Sequence, residues 1–335
     1  MIRQKMRVCK VVKPGILSMV QDLGRRGHYS EGIPDGGAFD SVAFKLGNMA
    51  LGNSLNAAGI EVLLGGLCLE FFEKTWTAIT GGDLGPKIDN NPVPMWQTLP
   101  VIPGQKLAIS GRRNGLRAYL LFAGGLDVPS FMGSRSTYLF LGRGGVRGRK
   151  LEKGDILNIF HSSEDVLPRR IPDRLRPIYG PPWRLRIVYG LQYELFTEES
   201  LERFESATWT VTSQTNRMGI RLQGPALEFK HRTGSQLHEL GGRDLSNIPT
   251  EGNPLGSIQC PAGSELIIIG PDGPCEGGYA KLGTIISADF FLLGQIRPGD
   301  KLRFKSVPLE EAYKELHMQK SVFEEDLETI QENVF

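Results

Sequence analysis

Four cysteines, five histidines and a formal net charge of only +2 leave this 335-residue chain short of most groups that announce a function. Cys9, Cys68, Cys260 and Cys275 are widely separated and form no CxxC pair. Neither a disulfide framework nor a structural zinc cluster is therefore expected. His28, His161, His231, His238 and His317 fall at no metal-ligand spacing, so no metal is expected either. The adjacent His238-Glu239 reads as a surface pair or an acid-base pair, and neighbours in sequence rarely face one another. A balance of 39 basic against 37 acidic residues gives no argument for nucleic acid or an anionic membrane surface. No run approaches the roughly 20 apolar residues of a membrane helix. The opening Met1-Ile-Arg-Gln-Lys-Met-Arg7 carries no apolar signal core, and a soluble, cytoplasmic protein is the expectation. GxxxxGK[ST], HExxH and GxSxG are all missing. Their absence argues against a Walker-type phosphate cradle, a zinc-protease helix and a nucleophile elbow.

What is abundant is glycine, at 42 residues, with 21 prolines beside it and no collagen period. Such composition fits many tight turns between short strands. Strand-like runs occur at 60–64, 67–72, 76–80, 106–110, 116–122 and 156–160, with a hairpin signal at Asn90-Asn91 inside 86–94. They resume at 183–189, 208–212, 219–222, 265–269 and 301–304. The spacing favours a mainly β protein of barrels or sandwiches over βαβ winding. Helices are expected over 41–51, capped by Asp40 or Ser41, and over 197–206, capped by Thr197. In the tail, Leu309, Tyr313, Leu316, Phe323, Leu327, Ile330 and Val334 recur at helical spacing, and the stripe must cap its own domain or dock on a partner. Pro103-Gly-Gln-Lys, Lys153-Gly-Asp-Ile and Pro298-Gly-Asp-Lys each read as a glycine turn delivering a strand. Residues 168–182 hold five prolines and four arginines and read as a linker. The expected organisation is a domain over 1–167, that linker, a second domain over 183–307 and a helix over 308–335.

Three segments carry the chemistry worth weighing. Val20-Gln-Asp-Leu-Gly-Arg25 leads to the loop from Pro34 to Asp40, so Gln21, Asp22 and Asp40 supply polar groups and Arg25 a rigid cationic fork. It reads as an anion-holding loop or as an Asp-Arg lock. Gly133-Ser-Arg-Ser-Thr137 with Arg143, Arg147 and Arg149 reads as an anion nest or a basic hairpin. Asn216-Arg-Met-Gly-Ile-Arg-Leu222 places Arg217 and Arg221 four apart, on one face if both lie on a strand. Downstream, Glu251 offers a partner or general base, and Tyr279 a donor. Structural ion pairing at a barrel rim is the competing reading.

Gly47-Asn-Met-Ala-Leu-Gly-Asn53, Arg117-Ala-Tyr-Leu-Leu-Phe-Ala-Gly-Gly125, Gly277-Gly-Tyr279 and Pro298-Gly-Asp300 join these segments in one order. Together they resemble the KipA family, also called allophanate hydrolase subunit 2 or the biotin-dependent carboxyltransferase family, from about Val12 to Val307. The resemblance implies two cyclophilin-like β-barrel domains. It further implies the C component of an ATP-dependent 5-oxoprolinase that opens 5-oxo-L-proline to glutamate. The implied partners are a KipI-like protein, the B component, and a LamB/YcsF-like protein, the A component, with the site shared and this chain inactive alone. Arg25, Arg217 and Arg221, with Gln21 and Tyr279, would then bind substrate or anion, and Asp22, Asp40 or Glu251 would orient or accept protons. The alternatives are the carboxyltransferase component of a biotin-dependent urea carboxylase system, or a regulatory protein that binds a KipI-like partner. The sequence departs from the family's pattern at Asn216, at Pro249-Thr-Glu-Gly252 and at Asp272-Gly-Pro-Cys-Glu276.

Overall fold

A computed structural model describes residues 5–160, 166–231, 244–261 and 264–332. His161, His238, Glu239, Val334 and the side chains of Leu327 and Ile330 lie outside that description. The chain is mainly β and divides into two compact units. One comprises the chain up to Arg25, Gly36–Tyr179 and the segment from Val322 on; the other comprises Arg26–Asp35 and Gly180–Ser321.

The first unit is two antiparallel sheets around one apolar core. In the larger, Lys5–Pro14 lies between Ile156–Phe160 and Leu67–Phe71, and the sheet continues through Lys106–Ile109 to the hairpin Pro86–Ile88 and Asn91–Pro92. Leu67, Leu69 and Phe71 alternate inward, as the two-residue period of a strand requires. The smaller sheet runs Leu17–Gln21, Gly59–Leu63, Arg117–Phe122, Thr75–Gly81 and Thr98–Val101. Its centre, Arg117–Phe122, is buried at every residue because the helix Ser41–Ala50 covers the face turned away from the core. Asp40 caps that helix, its carboxylate accepting from Ala43 N at 2.9 Å. The hairpin turn falls at Asp89 and Asn90, both with positive φ, so Asn91 begins the return strand, one residue later than the sequence signal suggests. Asx residues tolerate that conformation, which a tight hairpin demands twice.

In the second unit the strands close into a seven-stranded barrel. Its order is Trp183–Tyr189, Lys281–Ile285, Ser257–Gln259, Glu265–Ile269, Gly219–Gln223, Trp209–Val211 and Lys301–Ser306. The last strand pairs in parallel with the first, which removes both sheet edges. Beside it lies a two-stranded ribbon of Asn247–Gly252 and Glu276–Tyr279. The helix Glu198–Ser206, capped by Thr197, stacks Phe204 on Phe304 with ring centroids 4.6 Å apart. The tail helix Leu309–Glu332 leaves Leu309 and Tyr313 half exposed. A different face meets the barrel: Ala312 packs on Ile286, Ala288 and Val307, Glu315 pairs with Arg186 at 2.9 Å, and Gln319 Nε2 donates to Ala288 O. No helix among the described residues is long and apolar enough to cross a membrane.

The recurring glycine motif is one turn used three times. Gly104, Gly154 and Gly299 have φ of 86, 96 and 88°, where a Cβ is strained although space is open. After each, a side-chain oxygen accepts from the backbone N–H three residues earlier: Gln105 from Ile102, Asp155 from Glu152, Asp300 from Arg297. Residues 168–179 form a strap within the first unit. Arg169 and Thr98 exchange backbone and hydroxyl bonds at 2.9 Å, Ile171 is fully buried, and the Tyr179 hydroxyl donates to Asp40 Oδ2 at 2.6 Å.

Candidate functional site

Two of the three sequence segments meet in the first unit. The Asp22 carboxylate is fully buried and accepts from Gly24 N and Arg135 N and from the hydroxyls of Ser134 and Ser136, these last two at 2.6 Å. Four donors on one carboxylate fix the loop 134–136 against the end of Leu17–Gln21. Arg25 donates to Ser136 O, and its guanidinium lies over the rings of Phe131 and Tyr138, 5.6 and 5.8 Å from their centroids. Gln21 Nε2 reaches Thr137 O at 3.4 Å. Arg149 is drawn away from this loop into a bidentate pair with Asp155. Asp40 stands in a different group. Besides capping its helix and receiving Tyr179, it is bonded through its own N–H to the Tyr119 hydroxyl, which in turn donates to buried Glu61 at 2.9 Å. Burial, then the carboxylates of Glu61 and Asp40, push the Tyr119 hydroxyl well above its ordinary range and keep it a donor.

The second unit separates the two arginines expected to share a strand face. Arg217 lies ahead of the strand Gly219–Gln223, because Asn216 Oδ1 accepts from Met218 N at 2.7 Å and folds the chain into a turn there. Asn216 thus supplies the turn acceptor at its departure from the family pattern. Arg217 is buried and bidentate to Asp272, with Nε–Oδ2 at 2.7 Å and Nη2–Oδ1 at 2.9 Å. Arg221, on the strand, is half exposed and pairs with Glu265 at 3.0 Å.

A further set of polar groups gathers around Glu251. Its Oε1 pairs ionically with Lys281 Nζ at 2.8 Å and accepts from Gln192 Nε2 at 2.9 Å. Lys281 is a barrel residue only 7% exposed, so its ammonium is held in a largely dry place by one carboxylate. Across the ribbon Glu251 pairs with Gly277, and the strand period puts Tyr279 on the same face. Gly277 opens that face. A Cβ there would sit 2.3 Å from Gln259 Nε2 and 3.5 Å from the Asn253 amide. Asn253 is oriented by Nδ2 donating to Pro274 O at 3.2 Å, which leaves Oδ1 as acceptor. Gln259 Nε2 and Asn253 Oδ1 are both buried with no hydrogen-bond partner among the described residues. Buried polar atoms in that condition are rare, and each calls for a ligand or water. Next to them Cys275 is kept a thiol: burial pushes it up, and Asp35 and Glu276 add to the effect. It is no activated nucleophile. Tyr29, in the same unit, is likewise pushed up to about 12 by burial, Asp35 and Cys275.

The candidate site is therefore Gln192, Glu251, Asn253, Gln259 and Lys281 around Gly277. Of these, Glu251 was legible as a candidate in the sequence. Gln259 sits inside Ile258-Gln-Cys-Pro261, where nothing local marks the glutamine. Lys281, Gln192 and Asn253 carried no local signal.

These features fall within a defined protein class: residues 31–306 match the carboxyltransferase domain, subdomains A and B, and the chain belongs to that family. Among its relatives, the C component of 5-oxoprolinase from Escherichia coli (strain K12) is 37% identical over 316 residues, covering 94% of this chain and 96% of that protein. Urea amidolyase of Saccharomyces cerevisiae is 35% identical over 309 residues, 90% of this chain but 16% of its own length. Among solved structures, the urea carboxylase of Kluyveromyces lactis superposes with a TM-score of 0.89 at 30% identity. That likeness covers 99% of this chain and 30% of that one. The chain thus spans nearly all of the bacterial protein and a minor part of the yeast enzymes.

Proposed function

We propose that this chain is the C component of an ATP-dependent 5-oxoprolinase complex. In this reading it opens 5-oxo-L-proline to glutamate together with a KipI-like protein and a LamB/YcsF-like protein, and is inactive alone. The observation that carries the reading is the donor-acceptor pair beside Gly277. A lactam presents C=O and N–H on one edge, and Gln259 Nε2 and Asn253 Oδ1 are the complementary groups. Near-full-length identity to the Escherichia coli component supports the same substrate class.

Opening an amide requires charge to develop on its oxygen, so a fixed N–H aimed at that oxygen stabilises the transition state more than the ground state. Gln259 serves that role. Glu251 serves as general base towards water, oriented by Lys281 and Gln192, and Tyr279 flanks the entrance. Asp22, Arg25, Asp40 and Arg217 are positioning residues that hold loops through the bonds described above, while half-exposed Arg221 is available to an anion. ATP supplies the activation in the complex. This chain has no glycine-rich phosphate loop with its lysine, so no step is assigned to the nucleotide on its residues.

A second reading has its own observation, the close superposition on urea carboxylase. Urea offers the same C=O and N–H edge, and a biotin-dependent carboxyltransferase would use the same cluster to hold it. Titration of the assembled complex with 5-oxo-L-proline, L-proline and urea separates the readings. The oxoprolinase reading expects 5-oxo-L-proline to bind at least about tenfold tighter than L-proline, which lacks the ring carbonyl. Tighter binding of urea, or equal binding of the two prolines, overturns it.

A further inference from the structure

The first unit contains a cavity of about 580 Å³ between the turn 111–115 and the strap 168–179. That size falls within the range of small-molecule sites, roughly 300–1,000 Å³. Its lining includes Arg113, Arg170, Arg176, Gln97, Asn114 and Trp96. None of these belongs to the candidate site described above. The positive groups are under-compensated. Arg113 has Asp83 no nearer than 3.7 Å, and Asp173 is shared between Arg170 at 3.3 Å and Arg176 at 2.9 Å. Asp173 is 76% exposed, where water screens such pairs heavily.

Each guanidinium carries five N–H donors in a planar fork. Arg176 spends two nitrogens on Ile171 O and Asp173, and Arg170 one on Asp173. The rest have no acceptor among the described residues. Burial works against the Arg176 cation; Asp173 opposes it and Arg170 adds to it more weakly, so its pKa is lowered. An anion in the cavity would relieve that. Trp96 also lines the cavity, and its backbone sits at φ 63°, a costly conformation for a large side chain. Two backbone bonds clamp it there, Trp96 N to Ile79 O and Ile171 N to Trp96 O, both 2.8 Å. Three arginines and one aromatic residue lining the same cavity suit a small anion.

We infer that this cavity binds a small anion bearing a carboxylate or phosphate group, through Arg113, Arg170 and Arg176. The test is calorimetric titration of the full chain at fixed ionic strength, with inorganic phosphate and, separately, with succinate. At least one binds at one site per chain, and which one assigns the headgroup. Arg113 and Arg170 are more than half exposed, so Arg113→Gln with Arg170→Gln leaves the melting temperature unchanged. That double variant weakens binding about tenfold or more, the scale of two lost charge-assisted hydrogen bonds. Should the double variant melt early, Arg170→Gln alone is read instead and weakens binding by a smaller factor. No saturable binding of either anion below ~10 mM, or affinity untouched by the variants, overturns the assignment.

Discussion

Replacing Asp272 with alanine separates a structural arginine from a ligand-binding one. Arg217 and Asp272 expose only 6% and 8% of their side chains and make two parallel bonds. Deleting the carboxylate removes a bidentate counter-ion from a guanidinium in a place water hardly reaches. Loss of one partner from a buried pair costs about 3–5 kcal/mol. The control lies on the neighbouring strands. Arg221 and Glu265 expose 37% and 35%, and their pair spans 3.0 Å. There Glu265→Ala costs about 0–1 kcal/mol, because solvent replaces the lost partner. A third protein, Arg217→Met with Asp272→Leu, removes both charges and recovers most of the loss, since neither ion is left desolvated. Urea unfolding read through amide exchange in Gly219–Gln223 and Glu265–Ile269 reports on this barrel alone. If Asp272→Ala costs no more than Glu265→Ala, Arg217 is not committed to the fold and the reasoning fails.

Asp40→Ala removes a helix cap and the acceptor for Tyr179, worth about 1 kcal/mol each, and lowers first-unit stability by about 2 kcal/mol in chemical denaturation. Hydrogen bonds from Arg149 hold the Asp155 carboxyl below its ordinary 3.8, outweighing burial. The stability it adds is present above that pH and drains away as pH falls towards the lower folded value. Asp155→Asn should therefore flatten the acid limb of a stability-pH curve below about pH 4, and an unchanged limb would contradict this. Gly277→Ala drives a methyl to within 2.3 Å of Gln259 Nε2, the far end of a side chain. The melting temperature should stay within about 2 °C while activity in the complex falls at least about tenfold; a parallel loss of both would mean Gly277 serves only the fold.

The strands announced themselves where one face is buried and the pattern alternates, as in Leu67–Phe71, or where a run is buried throughout, as in Arg117–Phe122. They were silent where physics breaks the alternation. Lys5–Pro14 carries two bulges, each shifting which side chains point inward. The ribbon Asn247–Gly252 and Glu276–Tyr279 is largely solvent-facing and holds Pro249, Gly252, Gly277 and Gly278, so it shows no apolar period. At the site, residue types were readable but partnerships were not. Asp22 finds Ser134 and Ser136 more than a hundred positions away, and nothing near Lys281 signals that its amine is buried against Glu251. Arg217 and Arg221 failed to share a face because an Asx turn over Asn216–Met218 intervenes before the strand.

The most direct test is ATP-dependent release of glutamate from 5-oxo-L-proline by this chain alone, by the three components together, and by the same mixture carrying Gln259→Leu. Silence is expected from the chain alone and turnover from the mixture. An assembled Gln259→Leu complex should be slower by about a hundredfold, the usual scale for losing one oxyanion donor. Undiminished turnover with Gln259→Leu, or no turnover from a wild-type mixture that assembles, would contradict the oxoprolinase reading.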